Sequence, residues 1–336
     1  MLTARTRLAI TKAPMHFSRE EIDAARRTVY AVMPPTPQYA WPLLRQRLGM
    51  TVWVKHENHT PAGAFKIRGG LTYFEQLAQR QPQVRGVISA TRGNHGQSVG
   101  WGARRFGLEA TIVVPHGNSV EKNAAMRALG ATLIEHGEDF QAAREYAASL
   151  ASQQGLHMVP SFDHGLIKGV MTYWLEFFES FERGQDPDVV FVPIGQGSGF
   201  CAAAAARAQT GARSALIGVV SAHATTYLDS WRARKVIETT VTTVLADGMA
   251  CRIADEEALE VLLREAEDIL TVTDDEVAQA MRVLFADTHN VAEGAGAAGL
   301  AAAIQQRGRW QGRSVGVALT GGNVDSAVFA RVLSPS

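Results

Sequence analysis

Short apolar runs alternate along the chain with stretches in which apolar residues recur every three or four positions. The first pattern is typical of buried β-strands and the second of amphipathic helices. The runs predict strands at residues 84–89, 110–114, 132–135, 189–192, 216–220 and 314–319. The helical pattern predicts helices at residues 97–106, 121–129, 139–153, 201–209, 274–285 and 295–305.

The alternation of apolar strands with helices is typical of an α/β fold whose parallel sheets are covered by helices on both faces. No internal repeat or low-complexity linker marks a domain boundary. We place a small α/β domain at residues 80–160, inserted into a large domain formed by residues 1–79 and 161–336.

Composition narrows the function classes. The chain has 336 residues, 46% of them hydrophobic, and its formal net charge is zero. This balance argues against nucleic acid or a membrane as a partner, so we expect a small-molecule ligand. The first 15 residues lack the apolar segment of a signal peptide, and no run reaches the roughly 20 apolar residues of a membrane span. Two widely separated cysteines without metal-site spacing, Cys201 and Cys251, agree with a cytoplasmic location and no bound metal.

Three glycine-rich clusters carry the candidate chemistry, and the first is PAGAFKIRGG at residues 61–70. Lys66 stands here between Phe65 and Ile67, at the predicted start of a helix. A lysine among apolar neighbours loses its proton more readily than a solvated one. A lysine that forms a covalent bond with a carbonyl compound must lose its proton in this way. The alternative is a surface lysine whose stem covers apolar groups.

The second cluster, SATRGNHGQSVG at residues 89–100, follows a predicted strand. Its small residues would let backbone N–H groups approach an anion at a strand-to-helix turn. Asn94 and His95 could equally be turn and capping residues.

The third cluster, VVFVPIGQGSGFCAA at residues 189–203, predicts a strand, a glycine loop and a helix. Backbone donors and the positive end of the helix would converge there on a phosphate. The GK[ST] ending of the nucleotide P-loop is missing. The GxGxG spacing, with Ser221 where a ribose-binding acid is expected, also argues against a dinucleotide site.

Taken in order, these clusters and three later motifs resemble the fold-type II pyridoxal-phosphate enzymes, in particular the serine and threonine dehydratase group. AGAFKIRGG is similar to that family's cofactor-lysine motif and RGNHGQ to its substrate-carboxylate loop, while GQGSG stands in place of its phosphate loop. ADGMAC, EGAGAAG and TGGN, which begin at residues 246, 293 and 320, resemble later family motifs. The resemblance implies a two-domain fold similar to the tryptophan synthase β subunit, in which the large domain binds pyridoxal 5'-phosphate.

The resemblance also implies a role for individual residues. Lys66 would carry the cofactor and then act as base at the substrate Cα, and Arg92 is a second candidate catalytic residue. Asn94 would bond the 3′ oxygen of the cofactor, and Thr320 would meet its pyridine nitrogen. The substrate would be surrounded by Thr91, Arg92, Gly93, Asn94 and His95. The other cofactor-binding residues would be Phe65, Gly195, Gln196, Gly197, Ser198, Gly199, Gly248 and Glu293.

Departures from the family pattern bear on the substrate and on metals. Arg92 takes the place of a small residue in the family's loop, and this difference argues against racemase activity. Within the family, the loop with Arg92 most resembles that of the β-phenylserine dehydratases. Val220 and Thr226 stand where some relatives have metal-binding carboxylates, so we expect no divalent cation. The resemblance implies a homodimer, and because the chain ends soon after TGGN we expect no regulatory domain.

The implied activity is that of a lyase that converts a β-hydroxy-α-amino acid by α,β-elimination to a 2-oxo acid and ammonia. The Arg92 loop indicates β-phenylserine, which would give phenylpyruvate; threonine or serine, and hydroxyaspartate, are the alternatives. The Arg92 side chain could stack on an aryl ring, pair with a side-chain carboxylate or face solvent. A β-replacement enzyme would need a second-substrate site that we do not find, and Lys66 argues against a catalytically inactive binding protein.

Overall fold

A computed structural model describes residues 15–334, so the stretch tested above for a signal peptide lies, apart from Met15, outside the described residues. The helices of this range are α1 Arg19–Tyr30, α2 Pro42–Leu48, α3 Lys66–Arg80, α4 Asn94–Arg105, α5 Val120–Ala128, α6 Phe140–Gln154, α7 His164–Glu179, α8 Ser198–Thr210, α9 Thr226–Ala233, α10 Glu256–Glu265, α11 Asp274–Thr288, α12 Gly294–Gln305 and α13 Ser326–Leu333. The strands are β1 Gln38–Ala40, β2 Thr51–His56, β3 Gly86–Ala90, β4 Glu109–Val114, β5 Thr132–Glu135, β6 His157–Met158, β7 Val189–Pro193, β8 Ala215–Ser221, β9 Asp268–Val272 and β10 Ser314–Leu319.

The strands form two sheets, and the predicted α/β fold with parallel sheets is confirmed. The larger sheet has the order β1-β2-β10-β7-β8-β9, and the smaller has the order β5-β4-β3-β6. All pairs within the smaller sheet are parallel, whereas β1 pairs antiparallel with β2 at one edge of the larger sheet. The connection through α2 is shorter than the roughly dozen residues that a parallel crossover needs, which explains this antiparallel edge.

Both faces of each sheet are buried, as the unbroken apolar runs predict. Val189 and Phe191 on β7 pack into one core cluster, while their neighbours Val190 and Val192 pack into another on the opposite face. This division follows from the two-residue period of side chains along a strand. In the smaller sheet, α4 packs on one face of β3 and β4, and α6 packs on the other.

The strands of the smaller sheet all lie within residues 86–158, and those of the larger sheet come from both sides of this segment. The domain limits at residues 80–160 stay a prediction. Cys201 and Cys251 are both buried, as small core residues are. Among residues 15–334, no helix is long and apolar enough to cross a membrane, and no group of three His, Cys, Asp or Glu residues is arranged to hold a metal ion.

Several elements differ from the sequence prediction. Helix α4 begins at Asn94 rather than at residue 97, because Gly93 makes the turn with φ 156° and the helix starts directly after it. Helix α8 likewise begins at Ser198, after Gly197 with φ 94°. Helix α7 was not predicted, because two glycines and a run of β-branched and aromatic residues lower its helix propensity. Helices α1, α2, α9, α10 and α13 and strands β1, β2 and β9 were not predicted either. Strand β6 was not predicted because it has only two residues.

A buried ion network holds the first turns of α3 to the rest of the core. The Arg68 guanidinium is fully buried and donates to Glu57 at 2.7 and 3.0 Å and to Glu176 at 2.6 and 3.0 Å. Lys55 is also buried and lies 2.6 Å from Glu176, while it donates to the Thr36 carbonyl at 2.8 Å. Two cations therefore face two carboxylates, so the network is neutral and each charge has a partner in the core.

Removal of the Arg68 charge is expected to destabilise the fold strongly. Arg68→Met would leave two buried carboxylates with too few partners, at a cost of about 3–5 kcal/mol in the free energy of unfolding. The control is Arg26→Met, which breaks a 2.6 Å pair with Glu179 whose partners are both partly exposed. An exposed pair contributes about 0–1 kcal/mol. Urea unfolding followed by circular dichroism measures both, and equal small losses would contradict the assigned importance of the buried network.

Candidate active site

A cavity of about 130 Å³ lies where loops from the two sheets meet. The loop after β3 borders it from the smaller sheet, and the loops after β7 and β10 border it from the larger sheet. All three loops follow the carboxyl ends of parallel strands, and open α/β sheets bind their ligands at these ends. The cavity is lined by every candidate site residue that the sequence indicated, namely Phe65, Lys66, Thr91, Arg92, Gly93, Asn94, His95, Gly195, Gln196, Gly197, Ser198, Gly199, Gly248, Glu293 and Thr320.

Lys66 begins α3 and points its amine into this cavity. Its Nζ lies 3.3 Å from Ser198 Oγ and 4.9 Å from the centre of the Phe65 ring. Burial lowers the pKa of Lys66 to about 8, and no carboxylate acts against that effect. About a tenth of the amine is therefore neutral and nucleophilic at pH 7, whereas a solvated lysine has less than about one part in a thousand.

The glycine loop between β7 and α8 aims a helix N-terminus at the same cavity. Gly197 has φ 94°, a left-handed conformation that other residues adopt at a cost, and α8 begins at the next residue. Tyr227 donates to the Gln196 carbonyl at 2.9 Å and holds the loop from behind. Free backbone N–H groups at a helix start suit an anion such as phosphate.

The loop after β3 is held by its own threonine. Thr91 is buried, and its Oγ accepts from the N–H groups of Gly93 at 2.9 Å and Gly96 at 3.3 Å. The next side chain inward is His95, whose Nε2 is buried and has no hydrogen-bond partner among the described residues. Burial, with the nearby Lys66, lowers the pKa of His95 to about 3, so its ring is neutral. An unpartnered buried nitrogen indicates that a ligand belongs here.

Asn94, Glu293 and Thr320 lie together on another wall. Asn94 donates through its side-chain amide to Glu293 and accepts from Asn323 at 2.9 Å. The Thr320 hydroxyl has only a long 3.5 Å contact, to the Ala295 carbonyl. The amide is thus oriented at both ends, while the hydroxyl remains available to a ligand.

Arg92 reaches the cavity from the β3 loop. Its Nε is buried and has no hydrogen-bond partner within residues 15–334. The side chain also borders a smaller neighbouring cavity, together with Phe140, Arg144, Gln196 and Arg252.

Two charged residues of the cavity were not assigned a role from the sequence. Lys122 on α5 lies 2.9 Å from Asp247 and 3.2 Å from Glu293. Asp247 belongs to the ADGMAC motif, so a signal for it was present, whereas Lys122 lies in an ordinary helical pattern. The carboxylates of Glu293 and Asp247 outweigh the effect of burial and raise the pKa of Lys122, so this lysine is protonated.

The two positions at which some relatives have metal-binding carboxylates lie in the interior of this protein. Val220 is buried in the core, and Thr226 is buried with its hydroxyl donating to the Cys251 carbonyl. Neither side chain could serve as a carboxylate ligand.

The cavity fits pyridoxal phosphate in three respects. Lys66 offers an amine with a lowered pKa, which the aldehyde requires. Ser198, its 3.3 Å neighbour, begins the helix whose N-terminus suits the phosphate. The unpartnered His95 Nε2 and the weakly engaged Thr320 hydroxyl leave polar groups for the rest of the ligand.

Comparison with known proteins agrees with this fit. Residues 30–321 match the family model described as "Pyridoxal-phosphate dependent enzyme". The L-threonine ammonia-lyase of Thermotoga maritima is 31% identical over 316 residues, which are 94% of this chain and 78% of that protein. The L-threo-3-hydroxyaspartate ammonia-lyase of Saccharomyces cerevisiae is 30% identical over 314 residues, 93% of this chain and 95% of that protein. The solved structure of processed threonine deaminase isoform 2 from Solanum lycopersicum superposes with a TM-score of 0.84 at 26% identity, covering 95% of this chain and 94% of that one.

The chain spans only about half the length of several longer relatives, such as the biosynthetic L-threonine dehydratase of Haemophilus influenzae, of which it covers 58% at 31% identity. The matched family model spans most of the chain. The chain therefore belongs to the pyridoxal-phosphate dependent enzyme family, with pyridoxal phosphate as its cofactor, and is a lyase of the threonine dehydratase type.

Proposed function

We propose that the chain removes the β-hydroxyl and α-amino groups of a β-hydroxy-α-amino acid and releases a 2-oxo acid and ammonia. The observation that carries this proposal is the Lys66 amine, which lies in the cavity beside Ser198 at the phosphate loop with a pKa lowered by burial to about 8. The threonine and hydroxyaspartate ammonia-lyases among the relatives support the same reaction class.

When bound, pyridoxal phosphate acts as an electron sink for negative charge that develops at the substrate Cα. Lys66 supplies the base: its neutral amine accepts the Cα proton, and its position at the start of α3 holds it in place. Loss of the Cα proton and the β-hydroxyl removes one water, and hydrolysis of the product returns one water and releases ammonia. Thr320 offers a neutral hydroxyl rather than a carboxylate to the cofactor. A neutral partner leaves the ring a weaker electron sink, which favours rapid loss of the hydroxyl over slower side reactions.

We propose hydroxyaspartate as the preferred substrate, with threonine and serine as slower ones. Arg92 faces the cavity with a buried Nε that has no hydrogen-bond partner among the described residues, and Arg144 and Arg252 border the adjoining cavity. Arg252 is already paired with Asp139 at 3.0 Å and with Glu238 at 2.8 Å, so the positive charge without a carboxylate partner among the described residues comes from Arg92 and Arg144. A guanidinium forms its strongest hydrogen bonds with a carboxylate.

β-Phenylserine, which the Arg92 loop first suggested, has less support. The two ammonia-lyases described above are named for L-threonine and L-threo-3-hydroxyaspartate, and neither is named for an aryl amino acid. What favours the aryl substrate is Phe140, which lines both cavities beside Arg92 and offers an apolar face.

The first prediction is that Lys66 carries the cofactor. Borohydride reduction followed by peptide mapping should find the cofactor on Lys66, and Lys66→Ala should lower ammonia release by at least about 10²–10⁴-fold because base catalysis is lost. The exposed Lys235 provides a control, since Lys235→Ala should keep full activity. A label on Lys122, the other lysine of this cavity, would refute the assignment.

The second prediction concerns pH. Because the pKa of Lys66 is about 8, its amine is mostly protonated at pH 7 and mostly neutral at pH 9. Covalent uptake of pyridoxal phosphate by the cofactor-free protein should therefore accelerate with rising pH, with a midpoint near 8. Stopped-flow absorbance measures the rate. Pyridoxine phosphate, which lacks the aldehyde, should bind with little change over the same range, and an equal pH dependence for both compounds would contradict this origin.

The third prediction tests the substrate. Arg92→Ser should lower kcat/KM for L-threo-3-hydroxyaspartate by about 10- to 100-fold, since a hydrogen bond to a charged group contributes about 1.5–3 kcal/mol. Threonine should change by less than about three-fold, because its methyl group makes no such bond. Arg104→Ser, at an exposed position of α4, is the control.

Other outcomes of the same comparison of substrates would change either the role assigned to Arg92 or the proposed reaction. A loss confined to β-phenylserine would assign Arg92 to an aryl group. Unchanged rates for hydroxyaspartate and threonine alike would place Arg92 outside substrate recognition, whereas no turnover of any of the three substrates would overturn the proposed reaction itself.

A further inference from the structure

The wall of the cavity that contains Asn94 also contains three charged side chains that the proposed reaction does not use. Lys122 is only 7% exposed, and its Nζ lies 2.9 Å from Asp247 Oδ2 and 3.2 Å from Glu293 Oε2. Glu293 is 3% exposed. The cluster of Lys122, Asp247 and Glu293, which we term the lysine cluster, therefore places one cation between two carboxylates of unequal burial.

The two carboxylates depend on Lys122 to different degrees. The Asp247 side chain is 21% exposed and keeps contact with solvent, whereas the Glu293 side chain is 4% exposed. Burial raises the pKa of Glu293, and the Lys122 ammonium opposes that shift. An ionised carboxylate at such depth is costly without a partner. Lys122 is the one cation within ion-pair distance of Glu293 among residues 15–334.

Glu293 in turn holds a side chain that faces the ligand space. One of its oxygens, Oε1, accepts from the Asn94 amide, and the Asn94 carbonyl accepts from Asn323 at 2.9 Å. One N–H of the Asn94 amide is thus engaged, and its second is left for a ligand in the cavity. A chain of contacts runs from Lys122 through Glu293 to this amide.

The chain of contacts also crosses between the two sheets. Lys122 lies on α5, which follows β4 of the smaller sheet. Glu293 directly precedes α12, which packs on the larger sheet, and Asp247 begins a short turn that contacts α12. Gly93 leaves room for the lysine stem: a Cβ at this position would lie 2.3 Å from Lys122 Cδ. The lysine is therefore built into the wall rather than resting on its surface.

We propose that Lys122 is a positioning residue of the active site, which acts through Glu293 to orient the Asn94 amide toward the cofactor. The proposal concerns the cofactor and is independent of which amino acid the enzyme prefers. It assigns no proton transfer to Lys122, whose amine remains paired.

The test uses cofactor binding and the visible absorbance of the bound cofactor, so it does not depend on turnover. Lys122→Met keeps the length of the side chain and removes its charge. It should raise the dissociation constant for pyridoxal phosphate at least about ten-fold, equivalent to about 1.4 kcal/mol, and shift the absorbance maximum. The control is Arg127→Gln on the same helix. Arg127 pairs with Glu135 at 3.6 Å and both side chains are exposed, so this change should alter neither the dissociation constant nor the absorbance maximum.

A double variant separates positioning from general damage to the fold. If Lys122 acts by compensating Glu293, its charge should matter little once that carboxylate is neutral. The dissociation constant of Lys122→Met/Glu293→Gln should then lie within about three-fold of that of Glu293→Gln alone. This comparison remains possible if Lys122→Met by itself does not fold.

Two results would overturn the proposal. One is an unchanged absorbance maximum and dissociation constant in Lys122→Met. The other is a loss on removing Lys122 that is equally large with Glu293 and with glutamine at position 293, which would show that Lys122 acts independently of Glu293. If the unmodified protein binds the cofactor normally but releases no ammonia, that result counts against the reaction proposed above, and the binding comparison of the variants still decides the role of Lys122.

Discussion

The Arg68 guanidinium, buried between Glu57 and Glu176, is the interaction on which the site depends. Residues two apart on a helix point about 200° away from each other. Arg68 therefore faces the core while Lys66, two positions earlier, faces the cavity. A buried arginine needs carboxylates in a fixed geometry, so the network sets the position of the first turn of α3. The amine to which we assign the cofactor is thus placed by charges on the opposite side of its own helix.

Two lysines of one cavity have opposite electrostatic surroundings. Lys66 has burial without a carboxylate, and its pKa falls to about 8. Lys122 is buried too, but the carboxylates of Glu293 and Asp247 raise its pKa. Environments that separate the pKa values of similar groups distinguish their roles. One lysine can act as nucleophile and base, while the other remains a fixed cation.

The cavity is formed where loops from both sheets meet. The loop with Thr91 follows β3 of the smaller sheet, the loop with Gly197 follows β7 of the larger sheet, and Thr320 follows β10. Each sheet alone would supply only part of the wall. Arg92 Nε and His95 Nε2 have no hydrogen-bond partner within the described part of the chain, and both belong to the segment that follows β3. The smaller sheet thus contributes groups that remain open to a ligand.

The sequence by itself determined the fold class, most of the central strands and the glycine loops, because apolar runs and glycine-rich turns are local signals. It did not reveal α7, whose glycines and β-branched and aromatic residues have low helix propensity, or β6, which is too short to form a pattern. The loops that line the cavity could be recognised, since each lies in a contiguous motif. The convergence of Lys122, Asp247 and Glu293 was decided only by the tertiary structure. These charges come from distant segments, and a charged residue in a helical pattern looks like a solvated one until packing removes the water and gives it a partner.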